Sequence, residues 1–351
     1  MTQAIGYAAK DAQSPLAPFH FERRDLRDED VAIEILYCGV CHSDLHQARN
    51  DWHSSMYPLV PGHEIVGTVT AVGPKVSKMA VGQKVAVGCM VDSCLSCDQC
   101  DRGMEQMCRK GATMTYNGKD RQTGDLTFGG YSDHIVVREE FVLTVPDSLD
   151  MERAAPLLCA GITTWSPLRE WKVGPGSRVG VIGLGGLGHM AVKLAAGLGA
   201  DVTVITTSPE KEADALKLGA NRVLLSKDPE AMKKGRSSFD LIIDTVPVAH
   251  DIQPYLPLLD VESTLVLVGA IDMLPSFHSG HILGGRRRIA GSPIGGIAET
   301  QELLDFCAEK NILPECETIA IQDINGAYER MERSDVKYRF VIDLASLSAD
   351  R

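Results

Sequence analysis

The sequence predicts an α/β chain in which an irregular β domain precedes a doubly wound parallel sheet. Three observations carry this. Up to about Asp150 the chain is rich in short β-branched runs broken by Gly, Pro and Asp. From about Ala154 onward, short apolar strands alternate with amphipathic helices. Between the first of those strands and its helix stands a Gly-x-Gly-x-x-Gly cluster. At 351 residues the length suits about two domains.

Composition narrows the function. Hydrophobic residues make up 44% and charged residues 23%, which excludes a disordered chain. The 47 acidic and 35 basic residues leave a net charge of -12, a poor match for nucleic acid or anionic membrane. Arg286-Arg287-Arg288 could still hold one phosphorylated ligand. The longest uncharged run, Ala154 to Leu168, is too short to cross a bilayer and carries two prolines. Met1 to Lys10 lacks the pattern of a signal peptide, so a cytoplasmic location is expected. In that reducing compartment ten cysteines point to metal or catalytic work rather than to disulfides.

In the first part, Val31 to Tyr37, Glu64 to Val72 and Lys84 to Val87 read as strands, separated by two loops dense in Cys and His, Cys38 to His53 and Cys89 to Cys108. In the second part the order is strand Arg178 to Ile182, helix His189 to Leu198, strand Val202 to Thr206, helix Pro209 to Leu218 and strand Arg222 to Leu225. Strands Leu241 to Thr245, Thr264 to Gly269 and Ile289 to Ser292 follow. The tail adds helices Glu299 to Lys310 and Ile324 to Arg333 and strand Tyr338 to Ile342. It has too little apolar material for a core of its own and is expected to pack back on an earlier domain.

The glycine cluster is Gly183-Leu184-Gly185-Gly186-Leu187-Gly188. Strand before and helix after make it a dinucleotide turn: Gly183 for the bend, Gly185 for close approach of a pyrophosphate, Gly188 for helix–strand packing. The phosphates would meet the positive helix end. The determinant of cofactor choice lies further along the chain. Dinucleotide units for NAD place an acid at the end of the second strand. Here Thr206-Thr207-Ser208-Pro209-Glu210-Lys211 stands there, hydroxyls and an ammonium suited to a 2′-phosphate. NADPH is the expected cofactor, with Thr207, Ser208 and Lys211 at the phosphate.

Cys94, Cys97, Cys100 and Cys108 follow Cys-x2-Cys-x2-Cys-x7-Cys, four thiolates suited to a closed tetrahedral zinc site, with an iron–sulfur cluster as the alternative. The second cluster is Cys41-His42-Ser43-Asp44-Leu45-His46 with Pro61-Gly62-His63-Glu64. A thiolate, an imidazole and one more ligand would leave zinc an open position. Spacing leaves that third ligand among Cys89, Cys159, Cys307 and Cys316.

These residues resemble the zinc-dependent medium-chain alcohol dehydrogenases. Gly62-His63-Glu64-x2-Gly67-x5-Gly73-x2-Val76 matches that family's zinc signature without a gap. Cys38-Gly-Val-Cys41-His-Ser-Asp-Leu-His46, Pro156-Leu-Leu-Cys159-Ala-Gly-Ile-Thr163 and the glycine turn are most similar to the cinnamyl-alcohol-dehydrogenase-like branch, which includes bacterial broad-range aldehyde reductases.

The resemblance implies a β-barrel-like (GroES-like) catalytic domain over 1–153 and 293–351, and a Rossmann domain over 154–292. It makes Cys41, His63 and Cys159 the catalytic zinc ligands with Glu64 beside the metal, and Cys94, Cys97, Cys100 and Cys108 the ligands of a structural zinc. Ser43 and His46 match the proton relay, Ser43 standing where Thr is usual, with Asp51 as the acidic partner. Trp52 and Cys89 fall at the substrate pocket. Thr163, Leu184, Gly186, Leu187, Thr245, Val268, Gly269, Ala270 and Ile294 join the cofactor contacts. No pocket residue is carried over from Gly111 to Gly130, where the pattern departs from the plant enzymes.

The expected activity is hydride transfer between NADPH and an aldehyde, in a homodimer joined through the nucleotide-binding domains. The rival readings are a polyol or formaldehyde dehydrogenase on the same scaffold and a non-catalytic zinc or NADPH sensor.

Overall fold

The computed structural model describes residues 2–269 and 273–350. The chain forms two compact units, Met1–Cys159 with Gly295–Arg351, and Ala160–Ile294.

The first unit is built on a seven-stranded sheet with Asp30–Val40 at its centre. That strand pairs antiparallel with Ile65–Val72, His134–Arg138 and Arg339–Asp343, and Lys84–Val87 extends the sheet beyond Ile65–Val72. The centre strand runs past the expected end at Tyr37 because the tail strand Arg339–Asp343 supplies a ladder there, with Val40 opposite Phe340 and Cys38 opposite Ile342. Pairing across that much sequence leaves no local signal. What reads as a loop from Cys38 to His53 therefore opens with strand and continues as helix His42–Ala48. The Cys89 to Cys108 stretch likewise contains the strand Met90–Asp92 and the single helical turn Asp98–Asp101. Met151–Leu158 packs on strands of this unit, which runs to Cys159 and resumes at Gly295.

The second unit is a six-stranded parallel sheet. In space the order is Arg222–Leu225, Asp201–Thr206, Arg178–Ile182, Phe239–Asp244, Leu259–Leu267, Arg288–Gly291. Counted along the chain this is 3-2-1-4-5-6, the doubly wound order whose direction switches beside the first strand. Apolar residues such as Ile182, Ile205, Ile242 and Leu265 are buried in it, as a sheet covered on both faces requires. The helix after the first strand is Gly186–Gly197, beginning inside the glycine cluster three residues before His189. Pro209–Lys211 forms a 3-10 turn before helix Glu212–Lys217, where the sequence pattern reads as one continuous helix. The fifth strand ends at Leu267, so Val268 and Gly269 lie in the following loop.

Candidate active site

Helix His42–Ala48 is capped by its own third residue. The Cys41 N–H donates to Asp44 Oδ2 at 2.9 Å, half of a reciprocal capping box. Asp44 is completely buried, and its Oδ1 accepts from Gly62 N at 3.0 Å and meets His63 Nδ1 at 3.0 Å. Tyr131 Oη donates to Oδ2 at 3.3 Å. One carboxylate thus holds the segment that carries Cys41 against the segment that carries His63. With Nδ1 on Asp44, the lone pair of His63 is on Nε2, the tautomer a metal ligand needs.

Cys41 Sγ and Cys159 Sγ stand 3.8 Å apart. Two thiolates about 2.3 Å from one tetrahedral zinc would be separated by about 3.8 Å. The ligating atoms of Cys41, His63, Glu64 and Cys159 lie within 4.8 Å of one another, all buried. Of the cysteines that spacing left open, the structure brings Cys159 into this group. Cys89 packs next to it and donates to Leu158 O at 3.6 Å. Cys307 lies in helix Ile297–Lys310 and Cys316 opens strand Cys316–Ala320, both outside the group.

The hydrogen bond from Cys159 holds Cys41 well below the usual thiol range, and the same bond pushes Cys159 well above it. A divalent cation held by both sulfurs would displace their protons and stabilise both as thiolates. Glu64 pairs with Arg339 of the tail strand, yet burial pushes its carboxyl up to about 7. Its Oε2 has no hydrogen-bond partner among the described residues, and a Cβ on Gly39 would stand 1.9 Å from it. A buried, orphaned carboxylate oxygen beside two thiols and an imidazole is a donor set that fits zinc.

The second group, Cys94, Cys97, Cys100 and Cys108, also has its sulfurs within 4.8 Å of one another. Cys94 and Cys97 stand 3.9 and 3.6 Å from Cys100. Backbone N–H groups of Arg109 and Cys94 donate to Cys97 and Cys108 sulfurs at 3.4 Å each. Four sulfurs close a tetrahedron and leave no open position.

Ser43 and His46 are three residues apart on helix His42–Ala48, hence on one face. Ser43 Oγ lies 3.7 Å from Cys41 Sγ. His46 Nδ1 meets Asp51 Oδ2 at 2.8 Å, and the Trp52 ring lies 5.4 Å from the His46 ring. Trp52 is 41% exposed while Cys89 is buried, so the two expected pocket residues stand in different surroundings.

In the second unit Gly183 takes φ +87°, and a Cβ on Gly188 would stand 2.3 Å from Gly183 O. A Cβ on Gly185 would meet nothing within 4 Å among the described residues, which leaves the mouth of the turn open to a ligand. Lys211 Nζ reaches Leu184 O at 3.4 Å and so lies over the same turn, next to Thr207 and Ser208 at the strand end. Thr245 Oγ1 donates to Ile182 O at 2.7 Å. Thr163 is buried in helix Ala160–Glu170, Ile294 ends the unit, and Ala270 lies outside the described residues.

Sequence reasoning missed Asp44 and Arg339 as parts of the site. Asp44 left a signal, the acid three residues after a helix-capping position. Arg339 left none.

Residues 27–147 match the alcohol dehydrogenase GroES-like domain and residues 186–309 the zinc-binding dehydrogenase domain. The chain is 52% identical over 349 residues to an 8-hydroxygeraniol dehydrogenase of Catharanthus roseus, covering 98% of this chain and 96% of that one. It is 52% identical over 349 residues to an NADP-dependent alcohol dehydrogenase C of Mycobacterium bovis, covering 99% and 100%. Among solved structures, a cinnamyl alcohol dehydrogenase of Sorghum bicolor superimposes with a TM-score of 0.95 at 46% identity, covering 98% of each chain.

Proposed function

The chain belongs to the zinc-dependent alcohol dehydrogenase family, and from that premise we propose how its residues divide the reaction. It is an NADP-dependent enzyme that interconverts aldehydes and alcohols, with zinc and NADP(H) as cofactors. The observation that carries the residue assignment is the convergence of Cys41, His63 and Cys159 on one buried point, with Asp44 fixing the imidazole.

When bound, zinc supplies a Lewis acid for the carbonyl oxygen and NADPH supplies the hydride. Cys41, His63 and Cys159 hold the metal, with Glu64 as the carboxylate beside it. Ser43 would give its hydroxyl proton to the alkoxide oxygen that hydride addition leaves, making the alcohol, and His46 would return a proton to Ser43. Asp51, bonded to His46 at 2.8 Å and about half exposed, orients the imidazole and connects it to solvent. Cys94, Cys97, Cys100 and Cys108 hold a structural zinc. The backbone of Gly183 to Gly188 receives the pyrophosphate, with Thr163, Thr245, Val268, Gly269, Ala270 and Ile294 along the dinucleotide. Thr207, Ser208 and Lys211 take the 2′-phosphate, since no acid stands at the strand end to repel it.

We assign residues 1–153 and 293–351 to the catalytic domain and 154–292 to the nucleotide domain. Dimerisation through the nucleotide domain is supported by the edge position of strand Arg288–Gly291 and by exposed Val261, Met273 and Leu283. A cytoplasmic location suits the ten free cysteines. No helix among the described residues is long and apolar enough to cross a membrane.

The test is a panel of aromatic aldehydes, aliphatic aldehydes, formaldehyde and polyols on zinc-replete protein. Aldehydes with NADPH should lead, and NADPH should exceed NADH in kcat/KM by about tenfold or more. Lys211→Glu should remove that preference while sparing NADH. Polyols ahead of aldehydes would overturn the substrate assignment, and equal use of both cofactors the 2′-phosphate site.

A further inference from the structure

Asp244 ends the fourth strand of the parallel sheet, Phe239–Asp244, beside the strand that leads into the glycine turn. Its side chain is completely buried at the carboxyl edge, where doubly wound sheets bind their ligand. A buried carboxylate is poor economy for stability alone, because an apolar residue of similar volume avoids its desolvation. The bonds it makes indicate another use. Oδ1 accepts the Val246 N–H at 3.1 Å, and Oδ2 meets His250 Nε2 at 2.9 Å. His250 Nδ1 in turn meets Val248 O at 2.9 Å. Both ring nitrogens therefore face acceptors, so the Asp244–His250 pair keeps one proton between its members.

The same residue gathers the neighbouring loops. The Asp244 carbonyl accepts from Val268 N at 3.0 Å and Gly269 N at 3.3 Å. Val246 O stands where a Cβ on Gly269 would come within 2.3 Å, so these backbones lie directly against each other. On the other side, a Cβ on Gly183 would meet Thr245 Oγ1 at 3.0 Å and Val246 Cγ2 at 3.3 Å. The stretch 245–250 is thus wedged between the glycine turn and the loop after the fifth strand. Within it, the side chain of His250 ties the far end back to the sheet.

We propose that His250 is a cofactor-positioning residue: latched to Asp244, it holds the loop 245–250 in the shape that completes the dinucleotide shelf. This rests on the reading that the unit Ala160–Ile294 binds NADPH. Unlike Lys211, the latch acts on the shelf and not on the 2′-phosphate. It therefore serves NADPH and NADH alike.

Fluorescence titration of zinc-replete protein with each cofactor tests it. His250→Ala should raise Kd for both NADPH and NADH by about tenfold, the worth of a charged hydrogen bond. The loss should fall on KM for NADPH rather than on kcat. Asp244→Asn should bind within about twofold of wild type, because its amide can donate to a neutral His250 that still donates to Val248. A merely structural pair would lower Tm and leave Kd alone. Unchanged Kd in His250→Ala, whatever its Tm, overturns the latch. Should that variant fail to fold, His250→Gln carries the test, with a rise of about threefold expected and an unchanged Kd overturning the latch. Wild-type protein that binds neither cofactor overturns the nucleotide reading and this proposal together.

Discussion

Cys94, Cys97, Cys100 and Cys108 are neighbours in sequence, whereas Cys41 and Cys159 meet across 118 residues. The first cluster lies on a partly exposed loop, and its sulfurs are steadied by backbone N–H groups. The second is buried, and its histidine is steadied by a side chain, Asp44, that also joins three segments of chain. A local site needs only its own loop and tolerates changes to its side-chain surroundings. A site assembled from afar depends on every residue that fixes its geometry. It can in return leave one coordination position free.

The largest expected effect comes from removing a ligand of the assembled site. Cys159→Ser should lower zinc from about two per chain to about one and cut turnover by more than about 10³-fold, with the fold retained. Metal analysis and circular dichroism check this together. Full zinc content with unchanged activity would point to Cys89 as the ligand. Cys100→Ser should also lose one zinc, but the damage should appear in stability. A Tm drop of about 10 °C is expected, with turnover surviving at low temperature. Loss of activity with Tm untouched would mean the two sites have exchanged roles.

What the sequence made legible follows the same division. The four-cysteine loop and the glycine turn are set by spacing within a few residues, and both stand in the structure as compact geometric units. Strand and helix alternation in the second unit was readable because a parallel sheet buries whole apolar strands. The centre strand's extension to Val40 and the Arg339 partner of Glu64 were not readable, because the tail supplies both. Spacing could not choose among four cysteines for the third ligand; only the family resemblance singled out Cys159. Asp44 lay in view within the cluster, but its bond to His63 depends on a fold that no local pattern reports.

Asp44→Asn separates orientation from ligation. The amide keeps an oxygen for one donor but turns an N–H₂ toward another, among Cys41 N, Gly62 N and His63 Nδ1. Partners of metal-bound histidines typically change metal affinity by 10–100-fold, so the assembled site should lose zinc first in a chelator titration. The four-cysteine site should titrate as in wild type. Simultaneous loss from both would show that the variant has loosened the fold and not the ligand.

The smallest effect tests the other half of the comparison. Arg109 pairs with Asp98 at 2.9 Å, directly beside the four-cysteine loop, and both side chains are mostly exposed. The pair holds Asp98 far below the usual carboxylate range and therefore looks structurally important. Exposed ion pairs are screened by water and salt, however, and they restrict two mobile side chains. The contact that matters to the metal is the Arg109 backbone N–H on Cys97 Sγ, which any non-proline residue retains. Arg109→Ala should therefore keep two zinc per chain and shift Tm by less than about 2 °C. If it instead released zinc as readily as Asp44→Asn, the four-cysteine loop would depend on side-chain support just as the buried site does. The contrast between a backbone-steadied and a side-chain-steadied metal site would then be lost.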